Sequence, residues 1–241
     1  MDFKIVHIDE TDSTNREILR HSDANIIVVS EYQTAGKGCG SNTWESERGK
    51  NLTFSVLLHP ESCCAFPTKS GCQFRISEAV SVALCEMLET VLDRQVKIKW
   101  PNDIYVDDRK ICGILIENRM KGSVIVDSIV GIGLNVNQGV FVSDAPNPVS
   151  LWQILGRETD RDMLLQAFLE RLSAVMEMDA ERLGEAYRSR LYRQDGFYAF
   201  EDGQGRFMAK VQHVLDDGRL VLLDTEGRAR MYAFKEIQFV I

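Results

Sequence analysis

A chain of 241 residues, 44% hydrophobic and 27% charged, is long enough to bury a sizeable core and too ordinary in composition for a disordered or low-complexity protein. Its 28 Lys and Arg against 36 Asp and Glu leave a formal net charge of -8. That balance argues against a protein that coats nucleic acid through phosphate contacts, so any basic site must be local.

MDFKIVHIDETDSTN opens the chain with neither a secretory nor a transit-peptide pattern. No later apolar run reaches the ~20 residues of a membrane span, so the expected address is the cytoplasm. FKIVHI reads as a strand and DSTNREILRH as the start of a helix, with Thr14 and Glu17 at capping-box spacing, so that Thr14 or a neighbour closes the helix start. NIIVVSEY, an apolar β-branched run, reads as a buried strand leading into a glycine-rich loop, and NLTFSVLLH as another strand beyond it. From Gln73 to Leu92 apolar residues recur at helical spacing, which predicts a long amphipathic helix laid across a sheet. VKIKW, KICGILIEN and SVIVDSIVGIGLNV supply further strands, with DDRK as a tight turn. These connections are too short for helical crossovers and favour antiparallel hairpins. Helical patterns follow at 161–178 and 180–191. From about Gly196, short alternating segments punctuated by Asp217-Gly218 and Glu226-Gly227 predict a β-barrel of roughly 45 residues. The expected division is therefore 1–192 and 193–241.

Cysteine usage points to no scaffold. Cys39, Cys63, Cys64, Cys72, Cys85 and Cys112 are too sparse for a disulfide framework and read as free thiols. His59 with Cys63, Cys64 and Cys72 matches no usual zinc spacing.

Three stretches carry candidate chemistry. QTAGKGCGSNTW, residues 33–44, is neither a dinucleotide fingerprint, since Ser41 stands where G-x-G-x-x-G needs its last glycine, nor a phosphate-binding P-loop. It is either a surface loop or a flexible cradle whose amides approach an anion while Lys37 supplies charge. KWPNDIYVDDRKICGILIE places Lys99, Asp103 and Lys110 close together. An exposed ion pair would be worth under about 1 kcal/mol. The alternative is a site where cations stabilise a phosphorus centre gaining charge, with Asn102 offering an amide, Gly113 leaving room for a ligand and Asp103 suited to magnesium. In VGIGLNVN, Gly131 and Gly133 either permit close packing or open a slot beside Asn135, whose carboxamide both donates and accepts.

Taken in series, DSTN, EYQTAGKG…NTW, KWPND, DRKICGILIE and GIGLNVN resemble the catalytic domain of the biotin protein ligases, also called biotin-[acetyl-CoA-carboxylase] ligases, over nearly the whole chain. The resemblance implies an α+β fold, a mixed, largely antiparallel sheet covered by helices in the manner of class II synthetases, with a small C-terminal SH3-like β-barrel. It implies that biotin and Mg·ATP give biotinyl-5'-AMP and pyrophosphate, and that a lysine of a biotin carboxyl carrier protein then takes the biotinyl group. On this resemblance Ser13, Thr14, Asn15 and Gln33 match residues holding the biotin ring system, and Ser55 a further biotin position. Lys110 matches the lysine contacting the biotin carboxylate and phosphate, and Asp103 the acidic residue of metal binding and catalysis. Gly113 and Gly131 match backbone positions lining the pocket, while Asn135, Trp44 and Asn102 fall on the ATP side. The loop, with Lys37, Gly38 and Cys39, would fold over biotin and the adenylate and exclude water.

Two departures stand out. The family's loop reads G-R-G-R-x-G; here Lys37 replaces the first arginine and Cys39 the second, losing one bidentate fork and one charge. The expectation is a more weakly held adenylate unless Arg48 or Lys50 compensates. Bifunctional members carry an N-terminal helix-turn-helix, whereas this chain begins at the catalytic pattern, so the monofunctional type is expected, with no DNA and no membrane partner. Lipoate ligation and a non-catalytic biotin- or nucleotide-binding module are the rival readings. Whether the chain works alone or as a homodimer is left open.

Overall fold

The computed structural model describes residues 3–21, 25–40, 42–68, 71–143 and 146–241; Ser41 lies outside them. Among the described residues, strand β1 (Lys4–Thr11) leads into a single helical turn, α1 (Thr14–Glu17), and a 3-10 turn at Ile18–Arg20. Strands β2 (Ile26–Gln33) and β3 (Leu52–Leu58) flank the glycine loop, and a short helix α2 (Pro60–Cys63) precedes α3 (Phe74–Leu92). Strands β4 (Lys97–Lys99), β5 (Asp103–Val106), β6 (Arg109–Lys121) and β7 (Val124–Leu134) complete the first sheet. Helices α4 (Leu151–Leu155), α5 (Arg161–Met176) and α6 (Ala180–Arg188) follow. The remainder is β8 (Tyr198–Asp202), β9 (Gly205–Val214), β10 (Leu220–Asp224), β11 (Ala229–Tyr232) and β12 (Gln238–Phe239).

Seven strands form the large sheet in the order β1-β2-β3-β7-β6-β5-β4. Only β1 and β2 run parallel; the other neighbours are antiparallel, as the short connections predict. Its core face takes Phe54, Ile132, Ile114, Leu52, Leu134 and Cys112, all buried. Helix α3 buries Ile76, Val80, Ala83, Leu84, Met87 and Leu88, each large side chain stabilising the fold by about 1.5–3 kcal/mol. Phe54 of β3 meets Phe168 of α5 edge-on at 5.5 Å, and Phe74 of α3 meets Tyr187 of α6 at 5.6 Å.

The predicted barrel segment forms a five-stranded antiparallel sheet in the order β11-β10-β9-β8-β12. It docks against β4: Trp100 Nε1 donates to Gly218 O at 2.8 Å, and Tyr192 stacks on Phe239 at 6.2 Å. Arg193 ties the junction by donating to Ala199 O and Val240 O.

Two expectations are corrected. The neighbour Ser13, not Thr14, occupies the cap position of α1, and no capping box forms: Ser13 makes no side-chain cap bond and the Thr14 hydroxyl is turned to Gln33. The helix expected over 180–191 ends at Arg188 and is capped by Asp179, whose carboxylate accepts from Arg182 N at 2.9 Å. Helix α4 went unread, although Ser150 and Gln153 form a full capping box there.

Candidate active site

Strand register gathers small and polar residues on one face of the large sheet. Thr53 pairs with Gly133, Gly133 with Gly113, Gly113 with Asp103 and Asp103 with Lys99, a single row across five strands. Two residues along, Ser55 faces Gly131 and Gly131 faces Leu115. Since side chains alternate along each strand, the rows between these are the apolar ones that fill the core.

The glycines are needed for close approach. A Cβ at Gly133 would lie 2.3 Å from Trp44 Cε2, and one at Gly113 2.9 Å from Trp44 Cζ3, so the indole rests on bare backbone. A Cβ at Gly131 would lie 2.3 Å from Asn15 Oδ1. Both readings of the glycine pattern therefore meet: there is a slot against the backbone, and the cleft's own Trp44 and Asn15 pack into it.

Lys110 reaches Asp103 because β6 bulges. Ile104 faces Cys112, but Tyr105 faces Lys110, leaving Ile111 as the extra residue. A one-residue slip reverses which face a side chain takes, so the bulge turns Lys110 to the side of Gly113 and Asp103. Lys110 Nζ lies 2.7 Å from Asp103 Oδ1, with side chains 27% and 25% exposed, and 5.6 Å from the Trp44 ring centre. A half-open pair of this kind contributes at most about 1 kcal/mol to stability, and both groups remain accessible to a ligand.

Beside this pair, α1, β2 and β3 build a polar corner. Gln33 Oε1 accepts from Thr14 N at 2.8 Å and from Thr14 Oγ1 at 3.2 Å. Ser55 Oγ lies 2.8 Å from Thr14 Oγ1 and 2.6 Å from Asn15 Oδ1, while Asn15 Nδ2 donates to Glu117 Oε2 at 2.7 Å. Ser13, Thr14 and Asn15 are nearly fully buried. Ser55 is wholly buried behind them and does not line the cleft. Glu117, which orients Asn15, was missed by the sequence reading although it ends the GILIE motif.

The loop between β2 and β3 folds as a small hairpin: Trp44 N donates to Gly36 O at 3.0 Å, Gly38 N to Asn42 O at 2.8 Å, and Lys37 bridges Thr43. Glu45, also unread in the sequence, ties it to the segment after β7. Burial opposes ionisation of Glu45, but bonds from Ser143, Val142 and Gln138 outweigh it and hold its carboxyl below the usual range. Burial likewise pushes the Cys39 thiol up, opposed by the charge of Lys235.

On the nucleotide side, Asn135 is buried and its Nδ2 donates to Val149 O at 3.1 Å. Its Oδ1 and the indole Nε1 of Trp44 are buried without a partner. Asn135 thus presents a wholly free acceptor, while one of its two amide N–H donors is already spent on Val149 O. Asn102 has its amide engaged too, donating to Ile114 O at 2.5 Å. Lys99 is half-buried between the rings of Tyr105 and Phe239, each 5.2 Å away. Its burial lowers its pKa, against the pull of Asp103.

Apart from Ser55, the residues predicted from sequence line one cleft of about 1110 Å³, roofed by Phe234, Lys235 and Phe239 of the C-terminal sheet. Arg48 and Lys50 are not part of its wall. Arg48 pairs with Asp9 and Glu10 and stacks on Tyr32, and Lys50 pairs with Glu158 at 3.5 Å. Both cations are therefore engaged away from the hairpin positions of Lys37 and Cys39.

An α+β domain whose sheet face joins a polar corner to a lysine–carboxylate pair and two unpartnered buried polar atoms is built to hold a small polar ligand beside an anion. Residues 6–135 match the biotin/lipoate A/B protein ligase family, and the chain belongs to that family. It is 30% identical to the bifunctional ligase/repressor BirA of Bacillus spizizenii, over 94% of this chain and 70% of that one. It is 26% identical to the biotin–[acetyl-CoA-carboxylase] ligase of Paracoccus denitrificans, over 90% of this chain and 93% of the relative. The fold matches a biotin protein ligase from Aquifex aeolicus solved with biotin and ATP, at a TM-score of 0.80 and 24% identity, over 98% of this chain and 99% of that one.

Proposed function

We propose that this chain is an ATP-dependent biotin protein ligase, which activates biotin as biotinyl-5'-AMP and transfers the biotinyl group to a lysine of a biotin carboxyl carrier protein of acetyl-CoA carboxylase or a related carboxylase. The observation that carries this reading is the polar corner of Thr14, Asn15 and Gln33, backed by the buried Ser55, opening into the same cleft as Lys110 and Asp103. A ureido ring donates and accepts hydrogen bonds and matches such a corner, whereas the dithiolane of lipoate offers no comparable groups. The carboxylate end of biotin then points toward Lys110. Its cation draws the carboxylate and the α-phosphate together and offsets charge gathering on the phosphorus as a carboxylate oxygen attacks and pyrophosphate leaves.

Asn135 Oδ1, an acceptor without a partner, would accept from the exocyclic amine of adenine, and Trp44 Nε1, a donor without one, would bond the adenylate. The glycine hairpin with Lys37, Gly38 and Cys39 covers the mixed anhydride and keeps water from it. In the second step the carrier's lysine amine attacks the acyl carbon and AMP departs. Magnesium fits Asp103, a single carboxylate in reach of nucleotide phosphates, and would neutralise phosphate charge there. Residues 1–192 would form the catalytic domain and 193–241 a small barrel-like domain.

Intact mass spectrometry of an apo carrier domain incubated with this protein, Mg·ATP and equal biotin and lipoate tests the reading. A biotinyl increment that vanishes when the carrier's target lysine is changed is expected. A lipoyl increment would move the chain to lipoate ligation, and biotin binding without any increment would make it a binding module.

A further inference from the structure

Lys235 belongs to the C-terminal sheet yet stands in the wall of the cleft. It sits in the turn between β11 and β12, closed from both sides: Glu236 N donates to Ala233 O at 3.2 Å, and Glu236 Oε2 accepts from Ala233 N at 2.7 Å. Phe234 docks that turn on Trp100, ring centres 6.2 Å apart. Lys235 itself has a φ of 72°, in the left-handed region that side chains other than glycine rarely enter. Such conformations persist where surrounding structure enforces them, and they cluster at functional sites.

The enforced turn drives the ammonium group onto the glycine hairpin. A Cβ at Gly40 would lie 2.1 Å from Lys235 Nζ, so the lysine tip sits here close against the bare backbone of Gly40. Unlike Lys110, which holds Asp103, Lys235 forms no ion pair among the described residues, and its ammonium group lies 5.8 Å from the Phe234 ring centre. A cation without a carboxylate partner among the described residues, set beside Gly40 in the wall of the cleft, is suited to a phosphate group.

We propose that Lys235 is a phosphate-contacting residue of this cleft, supplying from the C-terminal sheet the positive charge that the glycine hairpin lacks at Cys39. The inference rests on the ligase reading for the identity of the phosphate, that of ATP and then of the adenylate. It also makes the C-terminal sheet part of the site, since hairpin, phosphate and Lys235 hold one another.

Lys235→Met and Lys235→Arg, each with and without Cys39→Arg, provide the test. Calorimetry of ATP binding, calorimetry of biotin binding without nucleotide, and escape of biotinyl-5'-AMP from the enzyme are read for each. Lys235→Met should weaken ATP binding about tenfold, the lower end for losing a charge-assisted hydrogen bond. It should also speed adenylate escape while leaving biotin affinity within about twofold, well inside one hydrogen bond's worth. Lys235→Arg should retain ATP affinity, and Cys39→Arg should restore it in the Lys235→Met background. Unchanged ATP affinity in Lys235→Met, or a loss that neither arginine repairs, would overturn the inference. A wild-type protein that binds ATP but forms no biotinyl-5'-AMP would instead overturn the ligase reading, and the ATP-binding comparison would still decide the role of Lys235.

Discussion

The cleft and the C-terminal sheet treat buried polar groups in opposite ways. In the sheet, Asp224 is saturated: it accepts from the amides of Glu226 and Arg228 and from the guanidinium groups of Arg228 and Arg230. In the cleft, Asn135 Oδ1 and Trp44 Nε1 are buried with no partner. Because an unmade buried hydrogen bond costs about 1–3 kcal/mol, the cleft gives up stability that ligand can restore, whereas the sheet keeps its own. Asn135 and Trp44 thus keep polar atoms in the cleft wall open to a further partner, whereas Asp224 spends its oxygens on the turn it holds.

The contrast breaks most sharply at Lys110. Lys110→Ala should lower adenylate formation about 10²–10³-fold, the usual loss for a group stabilising developing charge. Thermal stability should barely change, since the pair it leaves is partly exposed. Single-turnover formation of biotinyl-5'-AMP and a melting curve check both halves. Near wild-type rates would remove Lys110 from the chemistry.

Next in size is Gly131→Ala. The added methyl must displace the Asn15 carboxamide, at about 1–3 kcal/mol for overpacking. Biotin affinity should fall about 5- to 150-fold on that conversion, measured by calorimetry, with ATP binding spared.

Ser55→Ala reaches the same corner from behind. It leaves Asn15 and Thr14 without their buried support and should cost about 1–3 kcal/mol of stability in urea unfolding, with a smaller loss of biotin affinity. A loss of affinity with stability intact would mean that Ser55 touches the ligand.

Asp224 sharpens the contrast from the saturated side. Its burial opposes ionisation, but the Arg228 amide, the Arg230 and Arg228 guanidinium groups and the Glu226 amide hold its pKa at about 2. The folded pKa is depressed, so the stability it adds is present above the unfolded value of about 3.9 and is lost as pH falls toward the folded one. Acid unfolding of Asp224→Asn should lack that component between about pH 4 and 2. Superimposable curves for the two proteins would show Asp224 uncoupled from folding.

The smallest effect is expected for Cys39→Arg alone. With Lys235 already at the hairpin, slowing of adenylate escape should stay under about threefold, a fraction of one hydrogen bond.

Much of the fold was legible because it depends on local pattern. The apolar rhythm of 74–92 is helical whatever it packs against, and NIIVVSEY and NLTFSVLLH are β-branched and apolar enough to be buried strands. Chain order was also sufficient to group DSTN, the glycine loop, KWPND, DRK and GIGLNVN at one site. Less visible were the terms set by neighbours: Asn135 and Asn102 looked like free carboxamides, and only the fold commits their amides to Val149 O and Ile114 O.

By itself, then, the sequence determined which segments are strands and helices, where the chemistry-bearing residues lie along the chain, and which family they resemble. The tertiary structure alone decided which of those residues face one another. A bulge at Ile111 turns Lys110 toward Asp103. Asp9, Glu10 and Glu158 draw Arg48 and Lys50 away, and a turn nearly 200 positions downstream sets Lys235 against Gly40. Secondary structure follows from periodicity within a few residues, but register, bulges and the docking of one sheet on another are fixed by packing between segments far apart in the chain.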